Sequence, residues 1–146
     1  MICVDASVAV KWILNEERSD QARELYRAAL WAGESIVAPP LLPLEVTNIL
    51  RQRMRATDGV SLTEATGQLD KFLAFPIEYH NPVGLHRREL ALADAHDLSA
   101  TYDAHYLALA EHLGCELWTD DRRLLRQVGS SLTFVRWIAN YPATAG

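Results

Sequence analysis

Two rhythms of hydrophobic positions alternate along the chain. The short, β-branched or aromatic runs "ICVDAS", "SIVAPP", "PIEYH", "CELWT" and "LTFVRWI" predict strands, and the stretches between them carry apolar residues at helical spacing. The first run stops at Asp5 and gives way to "SVAVKWIL", where Ser7 is placed to cap a helix. "SDQARELYRAALWAG" predicts a second helix, opened by a serine or aspartate cap and closed at Gly33. "LLPLEVTNILRQRMRAT" predicts a longer one, its apolar stripe running through Leu42, Val46, Ile49 and Leu50, with Pro43 tolerable in the first turn and Glu45 flanking the stripe. "SLTEATGQLDKFLAF" predicts a helix that stops at Pro76, and "GLHRRELALADAHDL" and "LSATYDAHYLALAEHLG" predict two more in succession. In the second of these an aspartate, Asp103, shares its side of the helix with Tyr106, Leu107 and Ala110. "RRLLRQVG" is a short helix between the last two strands.

Strands alternating with helices imply right-handed βαβ crossovers. The expected fold is α/β: one domain over residues 1–140, with a mainly parallel twisted sheet and helices on both faces, followed by a flexible tail at 141–146. A length of 146 residues suits one domain, and a chain of this size buries roughly 70% of its unfolded surface. A composition of 49% hydrophobic and 23% charged residues is that of a globular protein rather than a disordered one. No apolar run approaches the ~20 residues that span a bilayer, and "MICVDASVAVKW" has no basic leader, so a cytoplasmic location without membrane association is expected. Cys3 and Cys115 lie in apolar strand-like runs and read as reduced core thiols. A net charge of −5 excludes a general nucleic-acid coating protein, but not an enzyme that grips phosphate through cations.

The carboxylates carry the chemistry. In open parallel sheets ligands bind beyond the carboxyl ends of the strands. Asp5 ends the first strand, Asp121 follows "CELWT", Asp103 opens the helix leading into that strand, and Glu45 lies early in the helix after "SIVAPP". Chain direction thus delivers four carboxylates to one edge. Each also has a plainer role on its own, as helix cap, turn residue or solvated side chain, and the weight rests on their joint arrival. Two unit charges ~5 Å apart repel by about 3 kcal/mol at an effective dielectric of ~20, so such a set needs protons or cations. Oxygen ligands without His or Cys suit Mg²⁺ or Mn²⁺, and the matching chemistry is metal-assisted phosphodiester hydrolysis.

These residues resemble a known family. "MICVDASVAVKWIL", "PLEVTNIL", "YDAHYLALAEHLG" and "LWTDDRRLL" are similar, in order and spacing, to the PIN-domain family and within it to the VapC toxins of type II toxin–antitoxin systems. The resemblance implies that Asp5, Glu45, Asp103 and Asp121 are the acidic set of a Mg²⁺-dependent ribonuclease, with Asp5, Asp103 and Asp121 on the metal. It also implies that Thr119, which opens the "T-x-D" piece, supports the site; Ser7, after "D-A", either joins it or caps the helix. Asp120 stands beside Asp121 and shares or replaces its role if the register differs. The partners implied are RNA, a second copy in a homodimer, and a small VapB-like antitoxin whose extended tail enters the active-site groove.

The remaining signals are weaker. Arg122, Arg123 and Arg126 follow the acidic edge and are candidates for RNA phosphate contact, whereas Arg51 and Arg55 lie opposite an apolar stripe and read as solvated. Asp94 and Asp97 read as solvated or capping. The five histidines show no metal-ligand spacing, and no zinc site is expected. Trp12, Trp31, Trp118 and Trp137 read as core and interface aromatics. Two rival functions remain. An aspartate-based phosphoryl-transfer protein also places an acid after its first strand, but the phosphatase type wants a second one where Ser7 stands, and a receiver wants an acidic pair near the start. A non-catalytic PIN-like module that binds RNA or protein is the other, and the intact acidic set argues against it.

Overall fold

The first strand, β1 (Ile2–Val4), is buried at every residue, and so is β2 (Ile36–Ala38), which means that both faces of the sheet are covered at its centre. The computed structural model describes residues 1–143, and the last three positions of the predicted tail lie outside them. The sheet continues through β3 (Ile77–Tyr79), β4 (Glu116–Thr119) and β5 (Val135–Trp137), in the order β3-β2-β1-β4-β5. All pairs are parallel, with Cys3 opposite Val37 on one side and Leu117 on the other. The outer strands β3 and β5 are partly exposed, as edges usually are.

Helices fill every crossover: α1 (Ala6–Ala9), α2 (Ser19–Trp31), α3 (Leu41–Arg55), α4 (Leu62–Leu73), α5 (Leu85–Ala95), α6 (Tyr102–Leu113) and α7 (Arg122–Val128). The chain builds outward from β1 to β2 and β3, then returns to start again with β4 beside β1. The crevice at such a reversal, beyond the carboxyl ends of the strands, is where α/β sheets bind ligands.

The helix α6 is the central one. Ala104 and the run Tyr106 to Ala110 are all buried, and the alanines let the helix lie close on β1 and β4. It ends at Gly114, whose φ of +66° is the left-handed conformation that glycine adopts at least cost. Three aromatic rings, Trp12, Tyr26 of α2 and Phe75, with centroids 4.9 to 5.2 Å apart, pack together against the same core. Cys3 and Cys115 are free and buried.

Three local expectations are corrected. Ser7 is not the cap of α1: the Asp5 side chain accepts from the Val8 amide, leaving the Ser7 hydroxyl for contacts across the sheet. The predicted helix "SVAVKWIL" breaks after one turn into a 3₁₀ turn, Val10–Trp12. At α2, neither serine nor aspartate caps; Arg18 sits there at φ 63°, while Ser19 binds back to the Leu14 carbonyl and the Glu16 amide. Trp12 is in the core as expected, but Trp31 stands 95% exposed at the end of α2. Tyr141, at the head of the predicted tail, packs edge-on against Trp118.

Candidate active site

At the reversal point the carboxyl ends of β1 and β4 lie side by side, tied by the Asp5 amide donating to the Trp118 carbonyl at 3.4 Å. Asp5 is the first residue past β1 and only 6% exposed. Its Oδ1 accepts from the Ser7 hydroxyl at 2.5 Å and the Val8 amide at 3.3 Å, and its Oδ2 accepts from the Thr119 hydroxyl. Burial pushes its carboxyl up to about 7, against the pull of those three donors and with a further push from Asp103. The two hydroxyls also act as acceptors: Ser7 Oγ receives the Asp120 amide at 2.7 Å, and Thr119 Oγ1 the Asp121 amide at 3.0 Å. Side chains following β1 thereby shape the turn that follows β4.

That turn sends its two aspartates to different places. Asp120 is pulled inward, where Arg18 Nε donates at 2.7 Å, Trp137 Nε1 at 3.0 Å, and Lys11 Nζ lies 3.1 Å away. Burial raises its carboxyl, yet the bonds from Arg18, Trp137 and Lys11 outweigh it and hold the group below its ordinary value. Its charge is already matched within the protein. Asp121 caps α7 with Oδ1, which accepts from the Arg123 and Leu124 amides at 3.0 and 3.1 Å. No hydrogen bond among the described residues uses its other oxygen.

Asp103 and Glu45 complete the group. Asp103 lies in the first turn of α6, half-buried, and its carboxylate has no hydrogen-bond partner among the described residues. Burial raises it, the charge of Asp121 raises it further, and Arg123 offsets part of this. Glu45, on α3, is raised chiefly by burial and also by Asp103. It adjoins the Tyr106 hydroxyl, but Glu45 Oε1 and that hydroxyl are both buried without a partner at hydrogen-bonding geometry. Asp103 is therefore the hub: its charge is felt by Asp5 and Glu45, and it feels that of Asp121. Of the residues singled out in the sequence, Asp5, Glu45, Asp103 and Asp121 meet at this edge, Ser7 and Thr119 brace Asp5, and Asp120 turns away. An oxygen-only donor set with unpartnered carboxylate oxygens fits a hard divalent cation.

Basic residues stand around it. Arg123 is near enough to act on Asp103, Arg122 lies over the Trp137 ring at 5.4 Å, and Arg122 and Arg126 line a shallow cavity with Leu125 and Trp137. On the other side an apolar groove of about 430 Å³ is lined by Leu41, Leu44, Glu45, Asn48, Ile49 and Tyr102.

Two features escaped the sequence. The Lys11, Arg18 and Trp137 clamp on Asp120 comes from segments with no shared spacing. The other is a set of three potential ligands on α5 and α6: atoms of His86, Glu89 and His105 lie within 4.8 Å of one another.

Comparison with known proteins places this architecture. The PIN domain family profile matches residues 2–130. The ribonuclease VapC9 of Mycobacterium tuberculosis is 36% identical over 124 residues, covering 85% of this chain and 88% of its own. The ribonuclease VapC3 of Pyrobaculum aerophilum is 31% identical over 134 residues, covering 90% and 98%. Among solved structures, PAE2754 from Pyrobaculum aerophilum superposes with a TM-score of 0.66 at 23% identity, over 94% of this chain and 89% of its own. Mycobacterium tuberculosis VapC20, described as a sarcin-ricin loop cleaving toxin, does so at 0.61 and 19%, over 84% and 91%. Both structures share the fold.

Proposed function

From the chain's membership of the PIN-domain family, with VapC ribonucleases aligned over most of its length, we propose that it is a metal-dependent endoribonuclease and the toxin of a VapBC-type pair. The observation that carries this reading is the Asp103 carboxylate, half-buried, without a hydrogen-bond donor, and electrostatically joined to Asp5, Glu45 and Asp121. A carboxylate held partly out of water without a donor is unfavourable until a proton or a cation joins it. Its value lies in what it takes up.

In this reading Asp5, Asp103 and Asp121 hold Mg²⁺ or Mn²⁺, which when bound supplies positive charge to the scissile phosphate and acidifies the attacking water. The protein's own part is positioning. Ser7 and Thr119 fix both oxygens of Asp5, and the start of α7 fixes Asp121 through its cap. Glu45, raised by burial, is suited to holding a proton near the reacting groups. Arg123 and, further out, Arg122 and Arg126 offer positive charge to the RNA backbone. Asp120 stays out of the reaction as the anchor of the turn.

The same reading gives the protein a VapB-like antitoxin as partner, a homodimeric working state and a cytoplasmic location. The groove beside Glu45, with Leu44 67% and Tyr102 64% exposed, supports an apolar peptide lying there. No helix among the described residues is long and apolar enough to cross a membrane.

The test is cleavage of a set of structured RNAs by antitoxin-free protein, with Mg²⁺, with Mn²⁺ and with EDTA. Activity should vanish with EDTA and fall at least ~100-fold in Asp103→Asn, in line with losing one transition-state electrostatic contact. Cleavage that survives either change refutes the metal mechanism. No cleavage under any condition, with RNA still bound, favours the non-catalytic binding module.

A further inference from the structure

The two histidines on α5 and α6 face one buried carboxylate. His86 and Glu89 are one turn apart on α5, and His105 looks across from α6. His86 Nδ1 is 3.2 Å from Glu89 Oε2, while His105 Nδ1 meets Oε1, so both rings turn the same nitrogen to the same group. The rings lie nearly parallel, 16° apart. Glu89 and His105 are largely buried, with side chains 8% and 12% exposed, whereas His86 is 81% exposed. Among the described residues no arginine or lysine pairs with Glu89; the adjacent Arg88 is taken by Glu111 through both of its oxygens.

A carboxylate withdrawn from water needs a full set of donors or a matching charge. We propose that His86, Glu89 and His105 form a transition-metal site, separate from the acidic cluster, for Zn²⁺ or a similar borderline cation. The donor set decides the class: two imidazole nitrogens and one carboxylate oxygen suit zinc, cobalt or copper, whereas Mg²⁺ wants oxygen alone. Three protein ligands with one side open to solvent also match a four-coordinate zinc site completed by water. With bonds of about 2.0–2.1 Å, tetrahedral ligand atoms stand roughly 3.4 Å apart. The atoms here span up to 4.8 Å, and the exposed His86 side chain is free to close that gap by rotation. A cation there bridges α5 to α6, the helix that carries Asp103, and adds positive charge at His105, whose field already reaches Glu45.

The experiment uses the full chain freed of metal and titrated with Co²⁺ alone, read by visible absorption and calorimetry. Asp103→Asn serves as the background that weakens the acidic cluster. The expected result is one equivalent of Co²⁺ with nitrogen-ligand absorption in both proteins, displaced by Zn²⁺ and not by excess Mg²⁺. Affinity should fall at least tenfold in His86→Ala, which removes an exposed side chain and leaves the fold intact by circular dichroism. Glu89→Gln should weaken it similarly. Absence of that absorption, or full binding retained in His86→Ala, overturns the proposal and leaves the three residues as a hydrogen-bonded bridge between helices. Neither result decides whether the chain cleaves RNA, because the readout is Co²⁺ binding and no residue of this set belongs to the acidic cluster.

Discussion

Replacing Asp5 by asparagine should make the metal-free protein more stable above neutral pH. The Asp5 carboxyl is displaced from 3.8 to about 7, first by burial and then by Asp103, so between those values the folded chain keeps a proton that the unfolded chain has released. Stability then falls as pH rises, because the native state binds more protons than the unfolded one, and it levels off above about pH 7. A displacement from 3.8 to about 7, at about 1.4 kcal/mol for each tenfold, amounts to about 4 kcal/mol. Asparagine has no such dependence. It keeps Oδ1 for the Ser7 hydroxyl and the Val8 amide and remains a good helix cap, but its amide cannot accept from Thr119, an offset of about 1 kcal/mol that does not vary with pH. The stability difference between variant and wild type should therefore move by about 4 kcal/mol in the variant's favour from pH 4 to pH 8. Urea unfolding in EDTA at a series of pH values, followed by tryptophan fluorescence, measures it. A change below about 1 kcal/mol, or one of opposite sign, would refute the argument that this carboxylate is held at a cost.

Further outcomes follow from other contacts. Lys11→Met removes one of two cations from Asp120, whose side chain is 6% exposed, and should cost about 2–3 kcal/mol of stability at pH 7; adding Asp120→Asn should recover part of the loss, so a double-mutant cycle without coupling would count against the clamp. Thr119→Val takes a hydrogen bond from the charged form of Asp5, so the pH at which stability levels off should move upward in the same urea series, and a downward move would contradict the assigned donor. Gly114→Ala meets no atom within 4 Å and should cost only the left-handed backbone, about 1 kcal/mol in thermal unfolding. Arg123→Gln should weaken RNA binding and reduce its salt slope by about one, measured with a catalytically silent partner substitution at Asp103; an unchanged slope would remove Arg123 from the phosphate contacts.

The elements were largely legible because each strand is a short run rich in β-branched or aromatic residues, wholly apolar in β1 and β2, and because α3 and α6 carry helical stripes. The position of the acidic edge was legible too, since chain direction in a parallel sheet decides which end of a strand faces the crevice. Other features depend on contacts between distant segments. Nothing in "TDD" separates Asp120 from Asp121; the choice is made by Lys11 and Arg18, more than 100 residues earlier in the chain, once the turn after β4 folds onto them. Trp137 reads as core, yet its indole N–H serves Asp120. His105 follows Glu89 by 16 residues, and only the packing of α5 on α6 makes them neighbours. Ser7 has the composition of a cap, but the helix starts two residues earlier than that cap requires, with Asp5 holding the Val8 amide.

The bond between Thr119 and Asp5 spans 114 residues of sequence, and this has a consequence for the order of events during synthesis. At ~5–20 residues per second, Asp5 is joined to the chain about 6–23 s before Thr119. Until β4 slots in beside β1, Asp5 has no brace on Oδ2, Asp121 has no helix to cap, and Asp103 lacks the neighbour that most strongly raises it apart from burial. A nascent or truncated chain ending before β4 thus carries most of the core and none of the assembled edge. Whatever this protein does to its target, it becomes able to do only when nearly all of it has been made.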